Sequence, residues 1–315
     1  MGSSTGLSNA VLDVASLLPS VSVIIPVLNG ERTIRDCLVS LLKMEYPPER
    51  REILVVDNGS TDRTAEIIKG HPVRYLCEKR QGAGAARNTG IEASSGEILA
   101  FTDADCVVST GWASELVRGF EDGGVGGVEG EIVDYPPVTP AEQFVASRRS
   151  FSYQSRLASP FYPYVLTANV AFRRQVFERI GLFDPRFPAA GGEDIDFSWR
   201  FFQGAAMSLR CNPKAIVFHR HRTTAGGFFR QQIRNGRGIA ILRAKYSARL
   251  PWTWRQELQA WGAVARFAGA AARAAIGDGV RHRTKVDAND LYFTFLGKLG
   301  IRIGFLWGTL PGRKV

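Results

Sequence analysis

A mostly parallel α/β sheet with flanking helices, extended by a helical C-terminal region, is the fold this 315-residue chain predicts. Three observations predict it. Short β-branched runs alternate with segments of helical periodicity, the pattern of right-handed β-α-β units. Three of these runs end in a turn-former or an acid, at Pro26, Asp57 and Asp103, so one sheet edge collects the polar chemistry. Past residue 222 the strand signals give way to Arg-rich helical spacing.

The elements follow in order. Residues 1–20 read as a leader with a short helix at 10–18. Residues 21–26 (VSVIIP) are a buried strand closed by proline. Asn29 and Gly30 turn the chain into a helix over 31–43, where Ile34, Leu38, Leu41 and Leu42 carry the periodicity. A second strand, 52–57, ends in an acid, and residues 58–62 (NGSTD) form a turn and cap before a helix over 64–69. A short strand at 73–76, a helix opening at 82–87 and running to 93, and a strand over 97–102 complete the parallel set. Gly82-x-Gly84-x-x-Arg87 departs from the dinucleotide fingerprint at its third glycine, and no acid follows at the required distance, which excludes an NAD site.

Further on, the pattern predicts a helix over 112–120 and a glycine-rich strand pair over 123–133. Residues 136–163 show no pattern and read as a mobile segment near the site. A strand runs into a helix across 167–174, and residues 181–187 form a turn. Glu193 and Asp194 open a helix, and short strands at 209–212 and 216–219 end in His219.

Asp103 and Asp105 stand i, i+2 at a strand end, so in extended chain they point the same way. Paired hard oxygen ligands in that crevice suit Mg²⁺ or Mn²⁺ holding a diphosphate, although Asp is also common in a turn after a strand.

Charge divides the chain. Residues 1–219 hold 22 Lys+Arg and 26 Asp+Glu (net −4), whereas residues 220–315 hold 18 and 4 (net +14). Such a segment suits nucleic acid or an anionic membrane surface. No nucleic-acid reading module is present and apolar stripes interleave the cations, which favours lipid or protein over nucleic acid. One stripe is Trp254, Leu258, Trp261, Ala265, Ala268 and Ala272, flanked by Arg255, Arg266 and Arg273. Residues 291–310 are apolar apart from Lys298 and Arg302, each of which would cost about 2.5–3.5 kcal/mol in a spanning helix. That predicts helices lying at a membrane interface with cations toward headgroups, or packing on the sheet region or in a homodimer. Cys37, Cys77, Cys106 and Cys211 show no CxxC spacing, which argues against a zinc site or disulfide framework and fits a reducing cytosol. The first residues lack a basic n-region and an apolar core, so the expected location is cytoplasmic, peripheral at the membrane's cytoplasmic face.

Six motifs then stand in a family's order: the first strand with Pro26-x-x-Asn29, Val-Val-Asp57-Asn-Gly-Ser-Thr-Asp62, Gly-Ala-Ala-Arg87-Asn-x-Gly90, Asp103-x-Asp105, Gly-Gly-Glu193-Asp194 and Val-x-His219. Over residues 21–222 the chain resembles glycosyltransferase family 2. The resemblance implies a GT-A fold, a nucleotide-sugar donor, a hydroxyl acceptor, Mn²⁺ or Mg²⁺, and inversion at the anomeric carbon. It makes 21–222 the catalytic domain, with 1–20 a leader and 223–315 a basic, amphipathic helical region. By resemblance, Asp57 accepts the N3–H of uracil, which favours UDP, or alternatively caps its turn. Pro26, Val27, Leu28 and Asn29, with Glu31 beside them, line base and ribose. Arg87, at a helix opening, meets the nucleotide or its phosphates. Asp105 is the metal ligand, with Ala104 beside it, and Asp103 contacts ribose or metal-bound water. His219 is the further metal ligand, and His221 shares its face. Asp194 is the base, with Glu193 orienting the acceptor or capping the helix. Gly191 and Gly192 let backbone approach the sugar, and Asn169 and Trp199 are candidate sugar contacts. Arg234 lies where processive members carry Gln-x-x-Arg-Trp, but Asn235 replaces the Trp, which argues against polymer synthesis while leaving an Arg of this region to face the diphosphate. A sugar nucleotidyltransferase would need a glycine-rich loop after the first strand, which residues 26–32 (PVLNGER) lack.

Overall fold

The computed structural model describes residues 18–148, 156, 162–187, 191–277 and 285–309. The expected leader, up to residue 17, lies outside them. β1 (Val21–Val27), β2 (Arg51–Asp57), β3 (Arg74–Cys77) and β4 (Ile98–Thr102) are linked by α1 (Ile34–Leu42), α2 (Thr64–Lys69) and α3 (Ala83–Ala93). β5 (Cys106–Val108), α4 (Trp112–Arg118), β6 (Val125–Asp134), α5 (Pro140–Ser147), β7 (Asn169–Arg173), α6 (Arg174–Ile180), α7 (Glu193–Gly204) and β8 (Ser208–His219) follow. Three helices end the chain: α8 (Ala225–Lys245), α9 (Trp254–Gly277) and α10 (Lys285–Thr309).

Eight strands form one mostly parallel sheet in the order β3-β2-β1-β4-β7-β6-β8-β5. Antiparallel pairing enters at β7, on both its neighbours, and where β5 meets β8. Both faces of the sheet are covered, and strand alternation assigns the side chains. Val21, Val23, Ile25 and Val27 pack with Ile34, Leu38 and Leu41 of α1 and Trp112 and Leu116 of α4. Ile24, Leu99 and Phe101 face the other way, toward Ile91, Val176, Phe177 and Phe197. Phe183 and Phe197 stack there with ring centroids 4.6 Å apart. Each such side chain, fully buried, stabilises the fold by about 1.5–3 kcal/mol.

Several elements differ from the sequence pattern. Pro26 lies inside β1, beyond its last residue paired with β4, so the strand reaches Val27. Residues 125–134 make one ten-residue strand rather than a pair, because β6 sits between β7 and β8 instead of folding on itself. The two short strands near 209–219 are one strand, with its register to β6 shifting between Gly130 and Glu131. The patternless segment contains α5, whose start is a capping box of Thr139 and Glu142.

The C-terminal helices pack on the sheet domain and on each other. A Cβ on Gly304 of α10 would stand 1.9 Å from the Ile233 carbonyl oxygen, and one on Gly236 of α8 would stand 2.2 Å from that of Ile301. Only glycine allows this crossing. Arg302, expected among headgroups, is buried instead and donates to Glu257 at 3.1 Å. Glu257 also accepts from the indoles of Trp252 and Trp261, both at 2.9 Å. The counter-charge and these polar partners make it affordable to bury the cation inside the bundle. No described helix is long and apolar enough to cross a membrane.

Candidate active site

The loops after β1 and β2 are tied together by the NGSTD turn. Asn29, with φ 52°, accepts at its Oδ1 from the Thr61 N–H (2.8 Å), and its own N–H donates to Ser60 Oγ (2.9 Å). The Gly30 N–H donates to Thr64 Oγ1 at 2.8 Å, and the Glu31 N–H to Asp62 at 3.2 Å. These bonds fix the mouth of a cavity of about 400 Å³. Pro26, Val27, Leu28, Asn29, Arg87, Asp103, Ala104 and Asp105 all line it.

Two of the expected donor contacts stand outside that lining. Asp57 is buried, with Oδ1 accepting from the Ser60 N–H (2.8 Å) and Oδ2 from the Tyr75 hydroxyl (3.2 Å). Its carboxylate closes the turn, while Asn58 beside it reaches the cavity. Glu31 points to Arg63, whose N–H it accepts at 3.3 Å.

At the far side the sheet register brings Asp105 to His219. β5 and β8 pair with Cys106 opposite His219, and the Arg220 N–H donates to the Asp105 carbonyl at 2.9 Å. Asp105 Oδ1 lies 3.4 Å from His219 Nε2, and Oδ2 lies 3.6 Å from the Arg222 guanidinium. Oδ1 is buried and accepts no hydrogen bond. Asp105, Cys106 and His219 are the metal-competent group among the described residues. Burial pushes the Cys106 thiol far up, so it stays protonated and is a poor ligand for a hard cation. Carboxylate and imidazole remain, one hard oxygen donor and one nitrogen donor for a divalent cation, a pair better matched to Mn²⁺ than to Mg²⁺. His221 is committed elsewhere: its Nε2 lies 2.6 Å from Asp134. Asp103 is not part of that group, and its Oδ1 accepts from Arg87 at 2.9 Å.

Arg87 is a buried residue at the start of α3 rather than a surface cation. One arm of its guanidinium reaches Asp103; the other reaches Glu193 at 2.8 Å. Glu193 is itself buried, and its second oxygen accepts the Gly191 N–H at 2.7 Å. With both oxygens engaged, Glu193 holds the loop. Among the described residues, Asp194 next to it contacts no cation, and its Oδ1 accepts only the adjacent Ile195 N–H at 2.9 Å. Burial first, then the Glu193 charge, push the Asp194 carboxyl up to about 7, against the pull of Arg87. A carboxylate with that pKa is matched to proton abstraction near neutrality.

Gly191 and Gly192 have φ of 139° and 100°, values that favour glycine. Their backbone approaches α8: a Cβ on Gly238 would stand 1.8 Å from the Gly191 carbonyl oxygen. Gly192 therefore serves close packing with α8, where an approach to the sugar was expected. Asn169, a candidate sugar contact, is turned into the sheet. It is fully buried, donating to the Glu131 and Ala215 carbonyls at 2.8 Å each and accepting from the Trp112 indole at 2.8 Å. Trp199 is core as well, 5% exposed, with its indole N–H on the Tyr162 carbonyl and its ring against Tyr246.

Two cations complete the cavity: Arg222 was not among the expected donor contacts, whereas Arg234 lies in the run from which an Arg was expected to face the diphosphate. Arg222, just after β8, and Arg234, on α8, line the same cavity as Asp105. Arg234 Nε is buried without a hydrogen bond, and burial, with Arg222 and Arg230 beside it, holds its guanidinium below its ordinary range. Converging cations that repel one another form a receptor for an anion. The signal was the Arg-rich run after His219, whose direction in space the sequence does not give.

The family model for glycosyl transferase family 2 matches residues 22–181. AglE, a glycosyltransferase of Haloferax volcanii, is 36% identical over 230 residues, covering 71% of this chain and 74% of that protein. The pre-mycofactocin glycosyltransferase of Mycobacterium tuberculosis is 30% identical over 236 residues, but the match spans 48% of its length. Among solved structures, the mannosyltransferase PcManGT of Pyrobaculum calidifontis, in complex with GDP-Man and Mn²⁺, superposes with a TM-score of 0.61. That match has 22% identity and covers 94% of this chain and 89% of PcManGT, a likeness of fold.

Proposed function

The chain belongs to glycosyl transferase family 2 and is a glycosyltransferase, and from that premise we propose that it moves a sugar from a nucleoside diphosphate donor to a hydroxyl acceptor, with inversion and with a divalent cation. The observation that carries this reading is the meeting of Asp105, Arg222 and Arg234 around one cavity, with His219 behind Asp105 at 3.4 Å and with the cavity's Arg87 bonded at 2.8 Å to Glu193, the neighbour of Asp194. Asp105 and His219 would hold Mn²⁺ or Mg²⁺. Such an ion, when bound, neutralises charge developing on the leaving diphosphate. Arg222 and Arg234 present further positive charge to the same phosphates.

The acceptor oxygen forms its bond to the anomeric carbon as the bond to the diphosphate oxygen breaks. The hydroxyl proton passes to Asp194, and the electron pair of the broken bond leaves with the nucleoside diphosphate. Glu193, held by Arg87, keeps the base loop in place. For the nucleoside we favour uridine on the family resemblance alone: Asp57 is turned to Ser60 and Tyr75, and Asn58 is the neighbour that reaches the cavity. Sugars and glycolipids fit the requirement for a hydroxyl acceptor.

The test is a thermal-shift series with UDP, GDP and CDP, each with Mn²⁺, followed by a donor screen with mass detection of the transferred sugar. A nucleoside diphosphate that binds the native state raises apparent stability, by about 2.7 kcal/mol at 100 times its Kd. No shift with any of the three sinks the donor assignment. A folded Asp194→Asn variant with full transfer activity removes Asp194 as the base.

A further inference from the structure

We propose that the outer face of α9, together with the last turn of α10, docks on an anionic membrane surface. Such docking is separate from sugar transfer and depends on neither donor nor metal. Trp254, Leu258, Trp261, Ala265, Ala268 and Ala272 recur in steps of three and four along α9, so they form one ridge. Its outward edge is Trp254, Leu258, Ala265 and Ala272, while Trp261 and Ala268 are half-buried and the Trp261 indole donates to Glu257. Trp254 is 69% exposed and Leu258 62%, and Ala265 and Ala272 are exposed too.

Other residues hold α9 to the molecule. Val264 is buried, Phe267 lies under the Lys298 ammonium of α10, and Glu257 pairs with Arg302. These contacts run the two helices antiparallel. The Trp252 and Phe305 rings meet at 5.5 Å, so the end of α10 stands beside the start of α9. Leu306 and Trp307, 43% and 50% exposed, extend the apolar surface at that end.

Charge selects the occupant. Arg255, Arg266 and Arg273 are exposed, and each follows an exposed apolar residue by one position, hence lies about 100° round the helix from it. A ridge of Trp, Leu and Ala with a row of Arg alongside matches the acyl boundary and the phosphate headgroups of a bilayer. The net charge of +14 on residues 220–315 (18 − 4) complements anionic lipid, whereas residues 1–219 (22 − 26) offer it nothing. A second copy of this chain would bring the same positive face and repel. Nucleic acid would satisfy the arginines but leave the apolar ridge in water.

The experiment is flotation of the full chain with vesicles of phosphatidylglycerol and phosphatidylcholine, against phosphatidylcholine alone, over a salt series. The expected result is flotation with the anionic vesicles, weakening as salt rises, with a blue shift of tryptophan emission. Trp254→Ser with Leu258→Ser should weaken binding by about ten-fold or more. Each of Arg255→Gln, Arg266→Gln and Arg273→Gln should weaken it by about five-fold. Nucleotide binding by these variants stays at the native level, because the residues lie outside the cavity. The proposal is overturned if the native chain does not float with anionic vesicles, or if the Trp254/Leu258 variant floats equally well. It is also overturned if light scattering shows a dimer that this variant makes monomeric, since a second copy would then cover the face.

Discussion

Arg87 and Glu193 stand 106 positions apart in the chain and meet at 2.8 Å with both side chains buried. The same guanidinium holds Asp103 at 2.9 Å. One residue thus joins the acidic turn at the end of β4 to the start of α7, where Asp194 stands.

Arg87→Met should leave two carboxylates without their partner. Breaking a buried pair by removing one member costs about 3–5 kcal/mol. Arg87→Lys should recover part of that loss, because an ammonium cannot reach both carboxylates with a planar fork. Urea denaturation of the three proteins measures this; equal midpoints for native and Arg87→Met would show that the bridge contributes nothing.

Transfer should rise with pH along a limb set by Asp194, whose carboxyl burial pushes up to about 7. The base acts deprotonated, so kcat/KM falls as pH drops through that value. The groups that face Asp194 are Glu193, Arg87, Asp103 and Tyr164. Glu193→Gln removes a like charge and should move the limb to lower pH. Asp194→Asn should lower kcat by about 10²–10⁴-fold. The stability consequence has the opposite slope. A carboxyl whose folded pKa exceeds its unfolded value binds its proton more tightly when folded, so stability declines as pH rises from about 4 to 7. Glu129, pushed up to about 7 by burial, acts in the same sense. Midpoints of urea unfolding across that window test the sign.

Arg234→Gln should separate binding from stability. Removing one of the converging cations relieves repulsion with Arg222 and Arg230, so the ligand-free protein should be as stable as the native or more so. Nucleoside diphosphate affinity should fall by about 10- to 100-fold, the value of a charge-assisted hydrogen bond. Calorimetric titration with UDP and Mn²⁺, beside a melting curve without ligand, reads both. Lower stability with unchanged affinity would assign Arg234 to packing.

His219→Ala and His221→Ala should differ, although two positions separate them. The first removes the imidazole that faces Asp105, and the Mn²⁺-dependent part of nucleotide stabilisation should disappear. The second removes a contact to Asp134 and should cost about 1 kcal/mol of stability while leaving the Mn²⁺ effect intact. Thermal shift with and without Mn²⁺ distinguishes them.

Much of this protein was legible in one dimension. Alternating Val and Ile marked β1 and β2, and strand ends at Asp57 and Asp103 marked the polar edge. The motif order marked the family, because each of these signals is local to a few residues. The capping box of Thr139 and Glu142 was equally local and would have located α5. Roles that depend on partners were not legible. Asn169 and Trp199 are residue types suited to a sugar, yet sheet register and helix packing turn both inward. Asp57 and Asp105 are both acids at strand ends. Asp57 is satisfied by Ser60 and Tyr75, while Asp105 keeps an oxygen without a hydrogen bond facing His219. Sequence periodicity fixes which side of an element is apolar. Which element lies opposite is set by strand order and register, and these decided that Cys106 pairs with His219, that Arg87 meets Glu193, and that Arg234 of a helix outside the matched region reaches the donor cavity.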